Sequence, residues 1–212
     1  YAEISLGGQK TILRAHTHGI LTVINNGAGF GFYLCRSCGY GTCLSAPPQR
    51  HNDPYGRECR GSFARVSLGY DLETDIAQID CSNALQGLRY EQGYWESLLF
   101  AVIEGMCQEL EIDRGDLDGT IYVDQTGKRS LILFDTVPGG AGQAKRILEP
   151  GVLKQVLNTS LKLLKRCSCG GEHGDTSCYG CLRNYGNQFL HDRLRRDFGI
   201  DALKRILGKR AG

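Results

Sequence analysis

Hydrophobic and polar residues alternate along much of the first part of the chain, whereas later segments repeat their apolar residues at helical spacing. Alternation combined with β-branched and aromatic residues predicts strands at 20–24, 30–34, 65–70, 74–80, 119–123 and 129–134. Turn sequences at 25–29 and 124–128 predict hairpins, and 71–73 predicts a break between strands. Helices are predicted at 94–110 and 152–166, with another beginning at 143. The pattern indicates an α+β fold with a mostly antiparallel sheet and packed helices.

The composition is that of an ordinary globular protein, with 41% hydrophobic and 23% charged residues in a chain of 212. No run of about 20 apolar residues exists to span a bilayer, so we expect no membrane partner. The first residues have neither an initiator Met nor a signal-peptide pattern. We therefore expect a single cytoplasmic domain, residues 1–212, cut from the C-terminal part of a larger protein.

The small net charge of +2 conceals an uneven distribution. Residues 1–140 contain 11 Lys and Arg against 17 Asp and Glu, while residues 141–212 contain 14 against 6. The domain thus divides into a strand-rich part with a net charge of −6 and a basic helical part with +8. The basic part suits a polyanion such as nucleic acid, although a solvated helix surface would also carry many of these charges.

Four cysteines within fifteen positions form the strongest motif, Cys167-x-Cys169 followed by Cys178-x-x-Cys181. Such spacing can direct four thiolates at one tetrahedral zinc, and in an intracellular protein paired cysteines more often bind metal than form disulfides. The glycine-rich loop between the pairs has little apolar surface to order it without a metal. The alternatives are a disulfide or free thiols, a redox Cys-x-x-Cys and an iron–sulfur cluster.

A second group of cysteines follows the predicted strand 30–34. Cys35-x-x-Cys38-Gly has the form of a zinc knuckle, and Cys43 and Cys59 are the remaining thiols of a candidate second zinc site. Cys43 is the weakest of the four, and His51 could replace it. The predicted fold therefore includes one or two zinc knuckles. Two further cysteines, at 81 and 107, have no metal-like partners, and Cys107 lies in a helical apolar pattern.

A glycine-rich loop follows the last predicted strand, with Asp135 at the strand tip and Gly139, Gly140 and Gly142 before the next helix. Glycines and the free amides of a helix start can bind an anion, so these residues form a candidate anion-binding loop. No Lys-Ser/Thr follows the glycines, so the loop is not a nucleotide phosphate loop. The alternative is a tight strand-to-helix turn in which the glycines serve close packing. Asp75 lies near Asp135 if their strands are neighbours.

The segment after the zinc motif combines hydrogen-bonding and apolar side chains. We expect the apolar members, Tyr185, Phe189 and Leu190, to pack the zinc loop onto the domain. Polar and basic side chains here and at the C-terminus suit contacts with phosphates or base edges. The candidates for nucleic-acid binding are Arg183, Asn187, Gln188, His191, Lys204, Arg205, Lys209 and Arg210.

Three segments together resemble the MrfA zinc-binding (MZB) domain family: 68–75, the glycine loop 134–142, and the cysteine motif continuing to Gln188. In that family the domain usually lies C-terminal to superfamily 2 helicase motors, and it is also similar to the end of DrmB, a subunit of the DISARM anti-phage system. The resemblance implies that Cys167, Cys169, Cys178 and Cys181 are the zinc ligands. It brings no catalytic role for the glycine loop.

The resemblance implies a zinc-stabilised accessory module of a helicase-type DNA repair or anti-phage protein, with Zn²⁺ as its cofactor. Its partners would be DNA and a helicase motor domain or partner subunit. No helicase motif lies within these residues, so any ATPase activity belongs elsewhere. Two other functions stay open: a metal-dependent enzyme cleaving phosphodiesters at Asp135 and the glycine loop, and an architectural protein-docking domain.

Overall fold

The structure is a computed structural model that describes residues 1–86 and 91–209. The chain forms two compact units. One, Ile20–Leu72, is called the inserted unit here, and the main unit comprises Tyr1–Gly19 with Glu73–Gly212. The segment 20–72 has its own short strands and its own cysteines. No helix within the described residues is both long and apolar enough to cross a membrane.

The regular elements are ten strands and three α-helices in the part of the chain that the structure describes. The strands are β1 (Ala2–Leu6), β2 (Gln9–Asn25), β3 (Phe32–Cys35), β4 (Gly41–Thr42), β5 (His51–Asn52), β6 (Glu58–Cys59), β7 (Phe63–Val66), β8 (Leu68–Asp80), β9 (Leu117–Val123) and β10 (Arg129–Asp135). The helices are α1 (Tyr94–Leu110), α2 (Val152–Arg166) and α3 (Arg196–Ile206).

A five-stranded sheet has the strand order β1-β2-β8-β10-β9. The pairs β1–β2, β8–β10 and β10–β9 are antiparallel, as the alternating pattern predicts. In the β9–β10 hairpin, Leu131 lies opposite Ile121 and Leu133 opposite Gly119. Strand β9 is at one edge of this sheet, where it borders a groove described below.

The core of the main unit is built around α1, which is apolar on nearly all sides and contacts α2, α3 and β9. Its side chains Leu98, Ile103 and Met106 are fully buried. Helix α2 is amphipathic and turns its apolar face toward α1. The two helices approach so closely at Gly105 that a Cβ there would lie 1.9 Å from the Ser160 hydroxyl oxygen. The absence of a side chain at Gly105 therefore permits this helix packing.

The inserted unit contains a three-stranded sheet in the order β4-β3-β7 and the two-stranded pair β5–β6. The predicted hairpin between 20–24 and 30–34 is wrong, because β3 pairs with β4 and β7. The intervening residues form a 3₁₀ turn that the Asn26 side chain caps by accepting the N–H of Gly29, so the chain does not reverse directly. The expectation of a mostly antiparallel sheet is confirmed, since all the pairs in this unit are antiparallel.

The helix predictions were the most accurate. Helices α1 and α2 begin and end at the predicted residues. The helix expected from 143 is a 3₁₀ helix, Ala144–Leu148, and α3 was not predicted. The expected break at 71–73 is absent, because β8 continues through it.

Candidate zinc centres and the surfaces around them

Four thiols near the C-terminus lie close enough to share one metal ion: Cys167, Cys169, Cys178 and Cys181. Their Sγ atoms are separated by 3.4 Å (167–169), 3.5 Å (167–178), 3.7 Å (169–181) and 3.9 Å (178–181). Four thiolates around a zinc at about 2.3 Å have S···S separations of about 3.8 Å. All four cysteines are free of disulfides. We call this group the C-terminal cluster, and its geometry fits tetrahedral zinc.

The loop that joins the two cysteine pairs is held by local turns and by a buried arginine. Gly170, Gly171 and Gly174 all have positive φ angles, a conformation that favours glycine. The Arg196 guanidinium, almost completely buried, donates to the backbone carbonyls of Cys169 at 3.0 Å and Gly171 at 2.6 Å. A zinc bound by four thiolates would carry two net negative charges, which a cation beside this loop would partly offset. Sequence reasoning missed Arg196.

Helix α3 begins directly on this loop. The backbone N–H of Arg196 donates to the carbonyl of Thr176 at 2.8 Å, and the N–H of Asp197 donates to the carbonyl of Gly174 at 2.9 Å. These first-turn amides have no acceptor within their own helix, so the loop carbonyls satisfy them. At the other end, α2 stops at Arg166, one residue before the first ligand. The cluster therefore joins the end of α2 to the start of α3.

The thiols of the C-terminal cluster differ in acidity. Burial raises the pKa of Cys167, but hydrogen bonds from the Cys169 backbone and from neighbouring thiols outweigh it and lower the pKa to about 7. Burial raises the pKa of Cys169 and of Cys181 above the ordinary value for a thiol. Zinc coordination requires thiolates, so metal binding releases protons from the latter two.

A second group of ligand atoms lies in the inserted unit: Cys35, Cys38, His51 and Cys59. The Sγ atoms of Cys35 and Cys59 are 3.8 Å apart, and His51 Nε2 lies 3.3 Å from Cys38 Sγ. Strands β5 and β6 pair His51 directly with Cys59, and β3 ends at Cys35. We call this group the N-terminal cluster. It fits a Cys₃His zinc site.

His51 takes the place expected for Cys43 in this cluster. Cys43 is exposed and lies after β4, outside the group of ligand atoms. The His51 ring packs against Tyr40 and Phe63, with centroid distances of 5.2 and 4.8 Å, and this packing presents Nε2 to the thiols. Which residue becomes the fourth ligand depends on contacts between residues that are distant in sequence. The spacing of the cysteines alone could not predict it.

Acidity also varies within the N-terminal cluster. Burial raises the pKa of Cys35, but hydrogen bonds from the backbone of Cys38 and Ser37 outweigh it and lower the pKa to about 6. Burial raises the pKa of Cys38 to about 11. Outside both clusters, burial raises the pKa of Cys107, a core residue of α1, to about 11.

The candidate anion-binding loop already has anionic partners within the chain. The buried carboxylate of Asp135 accepts the backbone N–H groups of Ala141, Gln143 and Ala144 at 2.6, 3.1 and 2.7 Å. Asp75 accepts the N–H of Gly142 at 2.9 Å. Of the three predicted glycines, Gly142 thus binds a side chain of the chain itself rather than an external anion.

The other two glycines serve backbone turns. The N–H of Gly139 donates to the carbonyl of Glu73 at 2.8 Å, and that of Gly140 to the carbonyl of Val137 at 3.1 Å. A Cβ on Gly140 would lie 2.4 Å from the Asp75 carboxylate. Lys145 forms an ion pair with the same carboxylate at 3.0 Å. The loop is therefore a packed strand-to-helix turn. This arrangement does not agree with the expectation of an anion-binding site at Asp135, Gly139, Gly140 and Gly142.

The polar candidates that follow the zinc loop are mostly engaged within the main unit. Asn187 is buried and donates to a backbone carbonyl at 2.9 Å. His191 Nε2 lies 3.0 Å from the side-chain oxygen of Asn187, and Arg183 donates to the hydroxyls of Ser177 and Thr176. Gln188 is exposed. The internal hydrogen bonds leave Gln188 as the most accessible of these four candidates.

The candidates of the last helix also have partners. Arg205 pairs with Asp201 at 2.7 Å, and Lys209 donates to a side-chain oxygen on α2 at 2.7 Å. Lys204 is half-buried. The prediction for Arg210 lies outside the described residues.

The aromatic side chains near the C-terminal cluster point to solvent. Tyr185 is 86% exposed and Phe189 79% exposed, so the expectation that they pack the loop onto the domain is wrong. The turn is held instead by reciprocal hydrogen bonds in which the backbone N–H of Asn184 and of Asn187 each donates to the other's side-chain oxygen. Leu190 alone is half-buried. Two large apolar rings are thus left on the surface.

Helix α2 carries a basic surface whose residues are not among the eight candidates named for nucleic-acid binding. Lys154, Lys162, Lys165 and Arg166 are exposed, and the helix contains no Asp or Glu. None of the four forms an ion pair with a described residue. The signal in the sequence was the absence of acidic residues from this helix. We call these four side chains the α2 basic face.

Comparisons with known proteins agree with the cysteine geometry. Residues 98–182 match the MrfA Zn-binding domain family, a range that includes the C-terminal cluster and excludes the N-terminal one. Druantia protein DruE of Escherichia coli strain UMEA 4076-1 is 30% identical over 86% of this chain, which spans only 11% of that relative's length. A crystal structure of the DUF1998 helicase MrfA bound to DNA is similar with a TM-score of 0.47 and 16% identity, covering 92% of this chain and 25% of that one. Residues 98–182 are therefore similar to the MrfA-type zinc-binding domain, in agreement with the resemblance indicated by the motifs.

Proposed function

We propose that this chain is a zinc-stabilised module of a larger helicase-type protein, and that its α2 basic face binds the DNA backbone. The observation that carries the proposal is the placement of this face. Four exposed cations lie on a helix without acidic residues, and the helix leads directly into the C-terminal cluster. Phosphate contacts of this kind supply most of the affinity of non-specific DNA binding.

Zinc has a defined part in this function. Bound to the four thiols, it would hold the end of α2 and the start of α3 in one arrangement, so that the basic side chains keep a fixed spacing. The buried Arg196 supports the same loop from inside the main unit. A rigid basic helix loses less conformational entropy on binding than a flexible basic tail. Any motor activity belongs to the remainder of the larger protein.

The geometry does not favour the alternative of a phosphodiester-cleaving enzyme. A metal-dependent nuclease needs carboxylate oxygens that converge on a metal ion. Both oxygens of Asp135 accept backbone N–H groups, and those of Asp75 accept the Gly142 N–H and the Lys145 ammonium. These carboxylates stabilise the turn.

The test is a DNA-binding titration across a salt series with the zinc-loaded chain, using labelled single-stranded and duplex DNA. The triple variant Lys162→Gln, Lys165→Gln and Arg166→Gln removes three cations of the α2 basic face. Each lost phosphate contact makes the negative slope of log K against log salt shallower by about 0.7 to 0.9, so we expect the magnitude of the slope to fall by about 2 to 3.

A control with the same change of charge uses Lys10→Gln, Arg14→Gln and Lys128→Gln, three exposed cations of the main unit that do not belong to α2. It should leave the salt dependence nearly unchanged. Equal losses in the two triple variants, or wild-type binding that does not respond to salt, would contradict the proposal. Zinc content is measured for every variant, so that an unfolded loop is not mistaken for a lost contact.

A further inference from the structure

Strand β9 presents an unpaired edge. It is the last strand of the five-stranded sheet, with β10 on one side and no described strand on the other. Hydrogen bonds from Thr136 N–H to Asp116 O and from Asp124 N–H to Lys128 O show that even-numbered positions bond toward β10. The N–H and C=O groups of the odd-numbered residues between them, Leu117 to Val123, therefore point away from β10.

Most of this outward row has no hydrogen-bond partner among residues 1–86 and 91–209. The carbonyl of Leu117 accepts the Arg114 guanidinium at 2.7 Å, which marks one end of the available edge. Within the described residues, the outward groups of Gly119 and Ile121 have no such partner. Natural sheets usually protect an edge with Lys, Pro, a bulge or a covering element. The sequence of β9, Leu-Asp-Gly-Thr-Ile-Tyr-Val, contains neither Lys nor Pro and is rich in strand-forming residues.

A groove of about 650 Å³ lies along this edge. Its floor includes β9 residues 117–121, and one wall is formed by Leu99 and Phe100 of α1. The other wall includes Tyr185 and Phe189, the exposed rings beside the C-terminal cluster. Two large exposed aromatic rings facing an apolar groove are typical of an interaction site. The groove thus combines unpaired backbone groups with pockets for side chains.

The charges of the groove indicate what it accepts. Glu96 and Asp118 line it, and neither carboxylate forms an ion pair with a described residue. The groove's arginine, Arg114, is already bound to Glu104 at 2.7 Å. Uncompensated carboxylates repel phosphates, so base stacking of a nucleic acid on Tyr185 is disfavoured. They attract a segment that carries Lys or Arg.

We propose that β9 binds an extended segment of a partner polypeptide by β-strand addition. The backbone of the segment pairs with the outward groups of Gly119 and Ile121, and alternate apolar side chains enter the groove between α1 and the exposed aromatic rings. A Lys or Arg of the segment faces Glu96 and Asp118. In such binding the backbone hydrogen bonds supply affinity, while pockets for alternate side chains supply specificity.

The probe is a capped synthetic heptapeptide of lysine, valine, threonine, valine, threonine, valine and lysine. It is titrated into the zinc-loaded, isotope-labelled 212-residue chain, and amide exchange is followed by NMR. We expect exchange at the outward N–H groups of Gly119 and Ile121 to slow by about tenfold or more at saturation, as new hydrogen bonds form. A peptide with glutamate in place of both lysines should bind about tenfold more weakly or worse.

Two variants test the site independently. Ile121→Pro removes an outward N–H without removing a bond to β10, so it should abolish peptide binding, whereas Ile121→Ala retains that N–H and serves as its control. If the proline variant fails to fold, the double variant Glu96→Gln with Asp118→Asn tests the site instead. It should remove the preference for the lysine peptide over the glutamate peptide.

Three results would overturn the proposal. These are unchanged exchange at Gly119 and Ile121, equal binding of the lysine and glutamate peptides, and displacement of the peptide by an oligothymidine. The triple variant of the α2 basic face should bind the peptide as the wild type does. Failure of the DNA proposal and failure of this one can therefore be told apart.

Discussion

Replacing Asp135 by Asn tests whether the glycine loop is a structural turn or a reactive site. The carboxylate is fully buried, and its two oxygens accept three backbone N–H groups. Oδ2 serves Ala141 and Gln143, while Oδ1 serves Ala144. An Asn side chain has only one oxygen, so its NH₂ group must face at least one backbone N–H. The substitution keeps the size of the side chain and changes only its hydrogen bonding.

The expected cost follows from these three bonds. Losing one hydrogen bond to a charged acceptor costs about 2 kcal/mol, and changing the other two from charged to neutral acceptors costs about 1 kcal/mol each. The sum is about 4 kcal/mol. The substitution also removes the cost of burying a charge, which offsets part of this loss. We therefore expect Asp135→Asn to lower the free energy of unfolding by about 2 to 4 kcal/mol.

Urea unfolding measures this directly through the fluorescence of Trp95, the single Trp of the chain, which is buried in α1. Zinc concentration is held constant, and equal m-values verify that the same surface unfolds in each variant. Asp118→Asn is the control, because that carboxylate is only half-buried and has no described hydrogen-bond partner. A stability within about 0.5 kcal/mol of the wild type for Asp135→Asn would refute the structural role. A catalytic role predicts that result together with loss of DNA cleavage.

Three further predictions concern zinc and helix packing. The purified chain should bind two zinc ions; His51→Ala should reduce the count to one and Cys43→Ser should leave it at two, as measured by metal analysis. Arg196→Gln should weaken zinc binding by about 10- to 100-fold in chelator competition, because outer partners orient metal ligands; an unchanged affinity would refute its supporting role. Gly105→Ala should destabilise the main unit by about 1 to 3 kcal/mol in urea unfolding, because its Cβ would clash with Ser160; equal or greater stability would contradict the close helix approach.

The sequence alone was sufficient where the determining contacts are local. Helices α1 and α2 were predicted to the residue, because their apolar periodicity reports directly on the buried face. The C-terminal cluster was also predicted completely, since its four cysteines lie within fifteen positions and the structure brings all four together. Such a spacing leaves the chain little freedom to place the thiols elsewhere.

Tertiary structure decided the features that depend on residues distant in sequence. The pairing of β5 with β6 and the packing of Tyr40 and Phe63 select His51 over Cys43 as the fourth ligand of the N-terminal cluster. Spacing cannot distinguish two residues that lie in the same segment between Cys38 and Cys59. The hairpin predicted between 20–24 and 30–34 is absent because β3 pairs with β4 and with β7, of which β7 is distant in sequence.

The two proposals also rest on surfaces of different origin, one determined by the sequence of a single helix and the other by the assembled fold. The α2 basic face can be read from the sequence, since it depends on one helix and its lack of acidic residues. The glycine loop resembled an anion site until the fold placed Asp75 and Asp135 against its amides, from strands β8 and β10. The groove along β9 depends on the strand order, which leaves that edge without a partner among the described strands, beside α1 and the zinc loop. Periodicity determines which residues are buried within an element, but only the assembled fold determines which polar groups remain without partners.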